Sequence, residues 1–276
     1  MITRLEFTAI DAEVKKAIQD TLDNIKDTGH GDYVLFLSDA EYKKEYDTPL
    51  SRLNPNVIDN RIDRYKDEGR LKFMSEFLST FYAFPSSQLS TDDNEQRMHM
   101  ELMVYSHVWE SKPFLKKLYR LAHLNNGEQY NWNVGVPDMT KHKFIRDDVR
   151  KTFEDANNPL AEIIRKGFHT SLRNAFAHSE YSFDTMNDNR RILLDNYNGD
   201  DSWELAQISY DEWSKRFVYS VLLSYHLMSL AYTNRIMLIE NLKTDTFQIK
   251  HPTRAKSFNF IWVKYSKDND SFSFES

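Results

Sequence analysis

Cysteine is missing altogether from the 276-residue chain. Disulfides, thiolate nucleophiles and zinc sites that need Cys ligands are therefore excluded. Glycine and proline are scarce, with 7 of each. An all-β protein would need more turn residues, so long helices are expected. No uninterrupted apolar run reaches the length of a membrane span. The nearest approach is FVYSVLLSYHLMSLAYTNRIML, 217–238, which carries His226 and Arg235 and is read as a buried helix. MITRLEFTAIDAEVKK at the N-terminus has no apolar core of the signal-peptide kind, so a cytoplasmic location is expected. GxGxxG, P-loop, GxSxG and HExxH patterns are all absent.

What is abundant is apolar and aromatic material. Hydrophobic residues make up 40% of the chain, with 18 Phe, 15 Tyr and 5 Trp. That suffices for a large core and rules out a disordered chain. The formal net charge is −6. A protein that coats nucleic acid nonspecifically is normally basic, so any nucleic-acid contact must use a local patch. KPFLKKLYR (112–120) and KHKFIRDDVRK (141–151) are the basic stretches, read first as solvated helix faces.

Periodicity places the elements. Val14, Ala17, Ile18, Leu22 and Ile25 define an amphipathic helix over 11–27. DYVLFLS (32–38) reads as a short strand or buried turn. Helices follow over about 59–84 and 92–124, with Pro113 splitting or kinking the second. NNGEQYNWNVGVPDMT (125–140) is a polar loop, and a further helix begins near His142. Asn158 and Pro159 then mark a helix start. Leu160, Ile164, Phe168, Leu172 and Phe176 repeat every four residues, predicting one helix that ends near His178. YSFD, RRILLDNY and SWELAQISY are strands, with MNDN (186–189) as a hairpin turn. Ser209 or Asp211 caps a long helix to about 242. FQIK, FNFIWVKY and FSFES form a small C-terminal β element. The chain is expected to be one mainly α domain over 1–276. It has an N-terminal extension (1–55), a helical core (56–244) with a β-hairpin at about 180–210, and C-terminal strands (245–276).

Two patterns bear on chemistry. His99-Met100-Glu101 is the HxE half of a zinc deaminase motif, but the cysteines that complete such a site do not exist here. His99 and His107 on one helix could share a metal, although two polar helix residues are the plainer reading. SLRNAFAHSEY (171–181) is more specific. A histidine ordinarily titrates near neutrality and can take a proton from a ribose 2′-OH or return one to a leaving 5′-oxygen. An arginine can grip the phosphate and stabilise charge in the transition state. At 100° per residue, Arg173 and His178 lie roughly 140° apart on one helix. They do not share a face, but two copies of the helix about a two-fold axis would bring both into one cleft. Such cleavage needs no metal or cofactor. On the other reading, Arg173 pairs with a carboxylate and His178 ends the helix.

RNAFAH resembles the R-x4-6-H signature of the HEPN superfamily in its RN-x3-H form. The wider stretch, SLRNAFAHSEYSF through SWELAQISYDEW, is similar to HEPN domains of bacterial abortive-infection and toxin proteins, over about 155–240. The resemblance implies a HEPN-like helical bundle that dimerises, with a metal-independent endoribonuclease site shared between two chains. It would make Arg173 and His178 catalytic, with Asn174 the polar residue after the arginine. His169 and Lys166, on the polar side of the expected helix with Arg173, are read as supporting or substrate-binding residues. One HEPN subgroup has His-x-Tyr, whose Tyr is modified by a nucleotidyltransferase antitoxin. Here His178-Ser-Glu-Tyr181 is one residue longer, so Tyr181 departs from that pattern. The partners implied are RNA, a second copy and an antitoxin or regulatory protein. A non-catalytic HEPN-fold dimer that binds RNA, a nucleotide or a protein is the alternative.

Overall fold

A computed structural model of the chain describes residues 1–51, 53–59, 61–85, 88–92, 94–186, 189–195, 205–255 and 257–275. The fold is mainly helical with small antiparallel sheets. Its axis is α10 (Tyr210–Ile236), which is started by a capping box. Ser209 accepts from the Glu212 N–H, and Glu212 reaches back to the Ser209 N–H. The helix is buried on nearly every side between Phe217 and Ala231, so it shows little amphipathic contrast. No helix among the described residues is long and apolar enough to cross a membrane.

Four helices wrap this axis: α1 (Arg4–Thr28), α3 (Arg61–Phe81), α4 (Glu95–Glu110) and α8 (Leu160–Gly167). The predicted stripe of α1 is buried as expected, from Val14 to Ile25. α1 falls in the segment read as an N-terminal extension, yet it lies along α10 as an integral wall of the bundle. The pairs Glu6–Lys215 (2.7 Å) and Gln19–Asn234 (3.4 Å) show that the two run in the same direction. Between α4 and α5 (Lys112–Asn125) the chain breaks at Ser111, and Pro113 sits in the first turn of α5. A short α6 (Lys141–Lys143), a π-helical stretch (Phe144–Arg150) and α7 (Lys151–Asp155) lead to α8.

Residues 32–38 are not a strand. They lie in α2 (His30–Leu37) and Ser38, where Tyr33 to Leu37 are all buried. An apolar run this short has no periodicity to read, and its neighbours decide its form. α2 packs on β6 (Thr246–Pro252) so closely that a Cβ at Gly31 would stand 2.8 Å from the Gln248 carbonyl oxygen. β1 (Glu41–Tyr42) and β2 (Asn56–Val57) form a minimal ribbon. The expected hairpin is β3 (Tyr181–Asp184) and β4 (Arg191–Leu194), extended by β5 (Gln207–Ser209). Asn187 and Asp188 of the expected turn lie outside the described residues, as do residues 196–204. The tail forms β6, β7 (Phe258–Ser266) and β8 (Ser271–Phe274), paired in that order. Residues 238–242 form a separate short helix, α11 (Leu238–Leu242).

Two buried ionic clusters clamp α10. Near its start, the fully buried Glu101 carboxylate accepts from Tyr82 Oη (2.5 Å) and Trp213 Nε1 (2.9 Å) and pairs with Arg97 (2.9 Å). Burial pushes the Glu101 carboxyl above its ordinary range, and Arg97 opposes that shift. Near the far end, Arg235 pairs with Asp270 (2.6 Å) and Asp59 (2.9 Å) and donates to the Leu37 carbonyl (3.1 Å). Burial disfavours the Arg235 charge, but those carboxylates outweigh it and raise its proton affinity. Asp270 lies in the β7–β8 turn, so this cluster ties the C-terminal sheet to the bundle.

Glu101→Ala leaves Arg97 buried without its partner. Urea denaturation should show a loss of about 3–5 kcal/mol. An unchanged midpoint would mean that the cluster is not the clamp described.

His251, beneath the C-terminal sheet, gives a pH effect. Burial holds its imidazole below the usual range, against its hydrogen bond to the Asn56 carbonyl (2.9 Å). Below about pH 6.5, the usual histidine value, the unfolded chain binds the proton first, so stability falls as pH falls. His251→Gln should flatten that slope in thermal melts between pH 7 and 5.

Candidate functional site

The expected single helix over 160–178 is two helices, α8 and α9 (Thr170–His178). Phe168 and His169 between them are extended. The stripe of every fourth residue runs through the break because Phe168 still enters the core, with its ring 5.0 Å from Trp109. Several of the backbone groups freed by the break find side-chain partners. Arg216 donates to the carbonyls of Arg165 (3.3 Å) and Phe168 (3.1 Å). Tyr105 Oη donates to the Gly167 carbonyl and accepts from the His169 N–H. The His169 Nδ1 accepts from the Ser171 N–H (3.2 Å), capping α9. His169 is thus an N-cap, not a residue beside Arg173 on a continuous helix.

α9 runs antiparallel to α4, with three matched contacts. Arg173 forms an ion pair with Glu110. Phe176 packs edge-on against Tyr105 at 5.8 Å. Past the helix end, Tyr181 Oη meets His99 Nδ1 at 2.9 Å. Ser179, with φ +57°, turns the chain out of the helix in the left-handed conformation. Leu172 and Phe176 are core residues, as the stripe predicts, and Ala175 is buried with them.

Arg173 is mostly buried. Its guanidinium donates to Asn174 Oδ1 (2.7 Å) as well as pairing with Glu110. Burial lowers its proton affinity from the usual arginine value. The second Glu110 oxygen takes Lys141 Nζ (2.7 Å), so a chain of charges runs Lys141–Glu110–Arg173 and ends on the Asn174 amide. His178 is exposed at the last position of α9, and among the described residues its ring has no hydrogen-bond or ion-pair partner. Arg173 and His178 do not meet within one chain, in keeping with their angular separation. Lys166 belongs to another surface. It pairs with Glu13 (2.9 Å) and the Tyr219 hydroxyl (3.1 Å) between α1 and α10. Tyr181 is half-buried against Phe176, and burial pushes its hydroxyl up.

Other expectations resolve differently. His99 and Glu101 cannot share a metal, because Glu101 is in the core and His99 packs on Tyr181 and Phe183. His107 faces α3 instead, where burial and Arg70 hold it below the usual histidine range. No group of three or more metal-ligating side chains converges among the described residues. The stretch 112–120 is not a free face. Lys117 pairs with Asp39, Lys116 with Glu41 and Lys112 with Asp138, while Arg120 donates to two backbone carbonyls. Glu110 is the site residue that the sequence reading missed. It lies 63 positions before Arg173, and no local pattern links the two.

Comparison with known protein families, with curated proteins and with solved structures gives no match in any of the three.

Glu110→Gln should free Arg173 at a stability loss of about 1–3 kcal/mol, since Glu110 also holds the buried Lys141. Dicarbonyl labelling of Arg173, followed by peptide mass spectrometry, should accelerate several-fold. Unchanged labelling would mean that Glu110 does not shield the guanidinium.

Proposed function

We propose that the protein is a metal-independent endoribonuclease of the HEPN type, with Arg173 and His178 as its catalytic residues. The observation that carries this reading is the exposed His178 at the end of α9, one turn beyond a hydrogen-bonded Arg173–Asn174 pair. A second copy packed about a two-fold axis supplies the other half of the cleft. One His178 takes the proton from a ribose 2′-OH, and that oxygen attacks the adjacent phosphorus. The bond to the 5′-oxygen breaks, and the second copy's His178 gives that oxygen its proton. The products are a 2′,3′-cyclic phosphate and a 5′-hydroxyl. Arg173, with Asn174 beside it, holds the phosphate oxygens. To do so it exchanges the Glu110 carboxylate for the phosphate, one oxyanion for another. His169 and Lys166, fixed by their contacts elsewhere, play at most a supporting part. The cellular role proposed is a cytoplasmic toxin or phage-defence effector restrained by an antitoxin or regulatory partner. Tyr181, held by His99, is a poor acceptor for nucleotidyl transfer until that hydrogen bond opens.

The Arg173–Glu110 ion pair favours a second reading, a HEPN-fold dimer that binds RNA, a nucleotide or a protein without cutting. Incubation with mixed RNA in EDTA separates the two. Wild type should cleave to cyclic-phosphate ends, and Arg173→Ala and His178→Ala should each lose at least about 100-fold in rate. Equal cleavage by the variants, or dependence on Mg²⁺, would overturn the mechanism. RNA left intact by wild type and by Glu110→Gln alike would favour the binding reading.

A further inference from the structure

The C-terminal sheet has two unlike faces. Strand alternation turns Val263 and Tyr265 of β7 inward, with Phe247, Ile249 and His251 of β6. The same alternation turns Phe258, Phe260 and Trp262 outward, where they are 51, 69 and 51% exposed. Three large aromatic residues in one exposed row are a costly arrangement for a face with no ligand. Successive rings on one face of a strand lie about 7 Å apart. That is twice the ~3.4 Å rise per nucleotide of a stacked strand.

The surroundings of the row are polar in a particular way. Across the ladder, Trp262 faces Gln248, Phe260 faces Lys250 and Lys264 faces Thr246. Lys250 Nζ lies 4.5 Å over the Phe258 ring. At the Phe258 end, the row runs into a cavity of about 350 Å³ lined by Lys250, Pro252, Asp32 and the 129–133 segment. That segment alternates, with Tyr130 and Trp132 buried and Gln129, Asn131 and Asn133 on the other side. Gln129 accepts from Lys250 through Oε1 (2.7 Å), which leaves its amide N–H donors directed elsewhere. Side-chain amides donate and accept at once, as the edges of nucleobases do. Rings for base faces, amides for a base edge and lysines for phosphate thus meet on one surface.

We propose that this face is a binding platform for a short single-stranded nucleic acid. Bases stack on Phe258, Phe260 and Trp262, and a terminal base enters the amide-lined cavity beside Gln129, Asn131 and Asn133. Lys250 contacts the backbone, and Lys264 does so by exchanging its ion pair with Asp245 (3.1 Å) for a phosphate. A double helix is refused, because its bases are already stacked on one another. The overall charge of −6 fits a platform in which stacking carries the binding and few phosphates are neutralised. The platform is separate from Arg173 and His178. It lies by the Arg235 end of α10, whereas α9 packs near Trp213 at the other end. It therefore stands whether or not the protein cuts RNA.

The test uses the full chain carrying His178→Ala, which keeps the probe intact, and fluorescence anisotropy with labelled 12-mers in EDTA. Mixed-sequence single-stranded RNA, the matching DNA and the RNA duplex are the probes. Single strands should bind, and Phe260→Ala and Trp262→Ala should each weaken binding roughly 5- to 100-fold. Both side chains lie on the outer face, so thermal melts should match the parent. With two lysines engaged, log affinity should fall against log salt with a slope of about −1.4. Tighter binding of RNA than of DNA names the 2′-OH as part of the ligand, and equal binding names the stacked bases alone. Either supports the platform. Absence of binding, equal binding of the duplex, or binding untouched by both substitutions would overturn it. So would sedimentation showing that the substitutions only break a dimer formed through this face.

Discussion

Glu101 surrenders all of its water in the fold, and donors from three parts of the chain replace it. Tyr82 comes from the end of α3, Arg97 from one turn earlier in α4, and Trp213 from the first turn of α10. A buried carboxylate tolerates little displacement of such partners, because any gap leaves charge without compensation. The aromatic packing around it follows. Trp213 is held where Tyr105 and Phe176 close on it edge-on, at 5.3 and 5.0 Å. Through Phe176 the position of α9, and so of Arg173 and His178, depends on a charge that neither touches.

That dependence explains why Arg173 and His178 differ so much in setting. α9 has one face against α4 and α10, and its last residue projects beyond them. Arg173, near the start, leans back toward the end of α4 and meets Glu110. His178, at the end, meets solvent. An arginine held by a carboxylate is pre-shaped for a phosphate, but the anion it already has must leave first. The same ion pair thus organises the guanidinium and occupies it.

The sequence was readable where a pattern is local. The stripe of α1, the split at Pro113, a cap at Ser209 or Asp211 and the alternating strands of the tail all rest on residues within a few positions of each other. α2 was not legible, because five consecutive buried residues satisfy strand and helix alike, and only the approach of β6 at Gly31 decides. The break between α8 and α9 was hidden by an apolar repeat that continues across it. Its signal was present in Gly167, a helix-ending residue, followed by His169 as a cap. Of the site, the motif residues and their angular separation were visible. Glu110 was not, since its pairing with Arg173 exists only once α4 and α9 lie side by side.

The parallel course of α1 and α10 bears on how the chain is born. α1 is complete by residue 28, and its partner begins only at residue 210. At ~5–20 residues per second, synthesis of the intervening stretch takes on the order of 10–40 s. Throughout that interval the apolar stripe from Val14 to Ile25 has no α10 to cover it. The bundle therefore closes late, and until then only α2, α5 and α8 are available to cover that stripe.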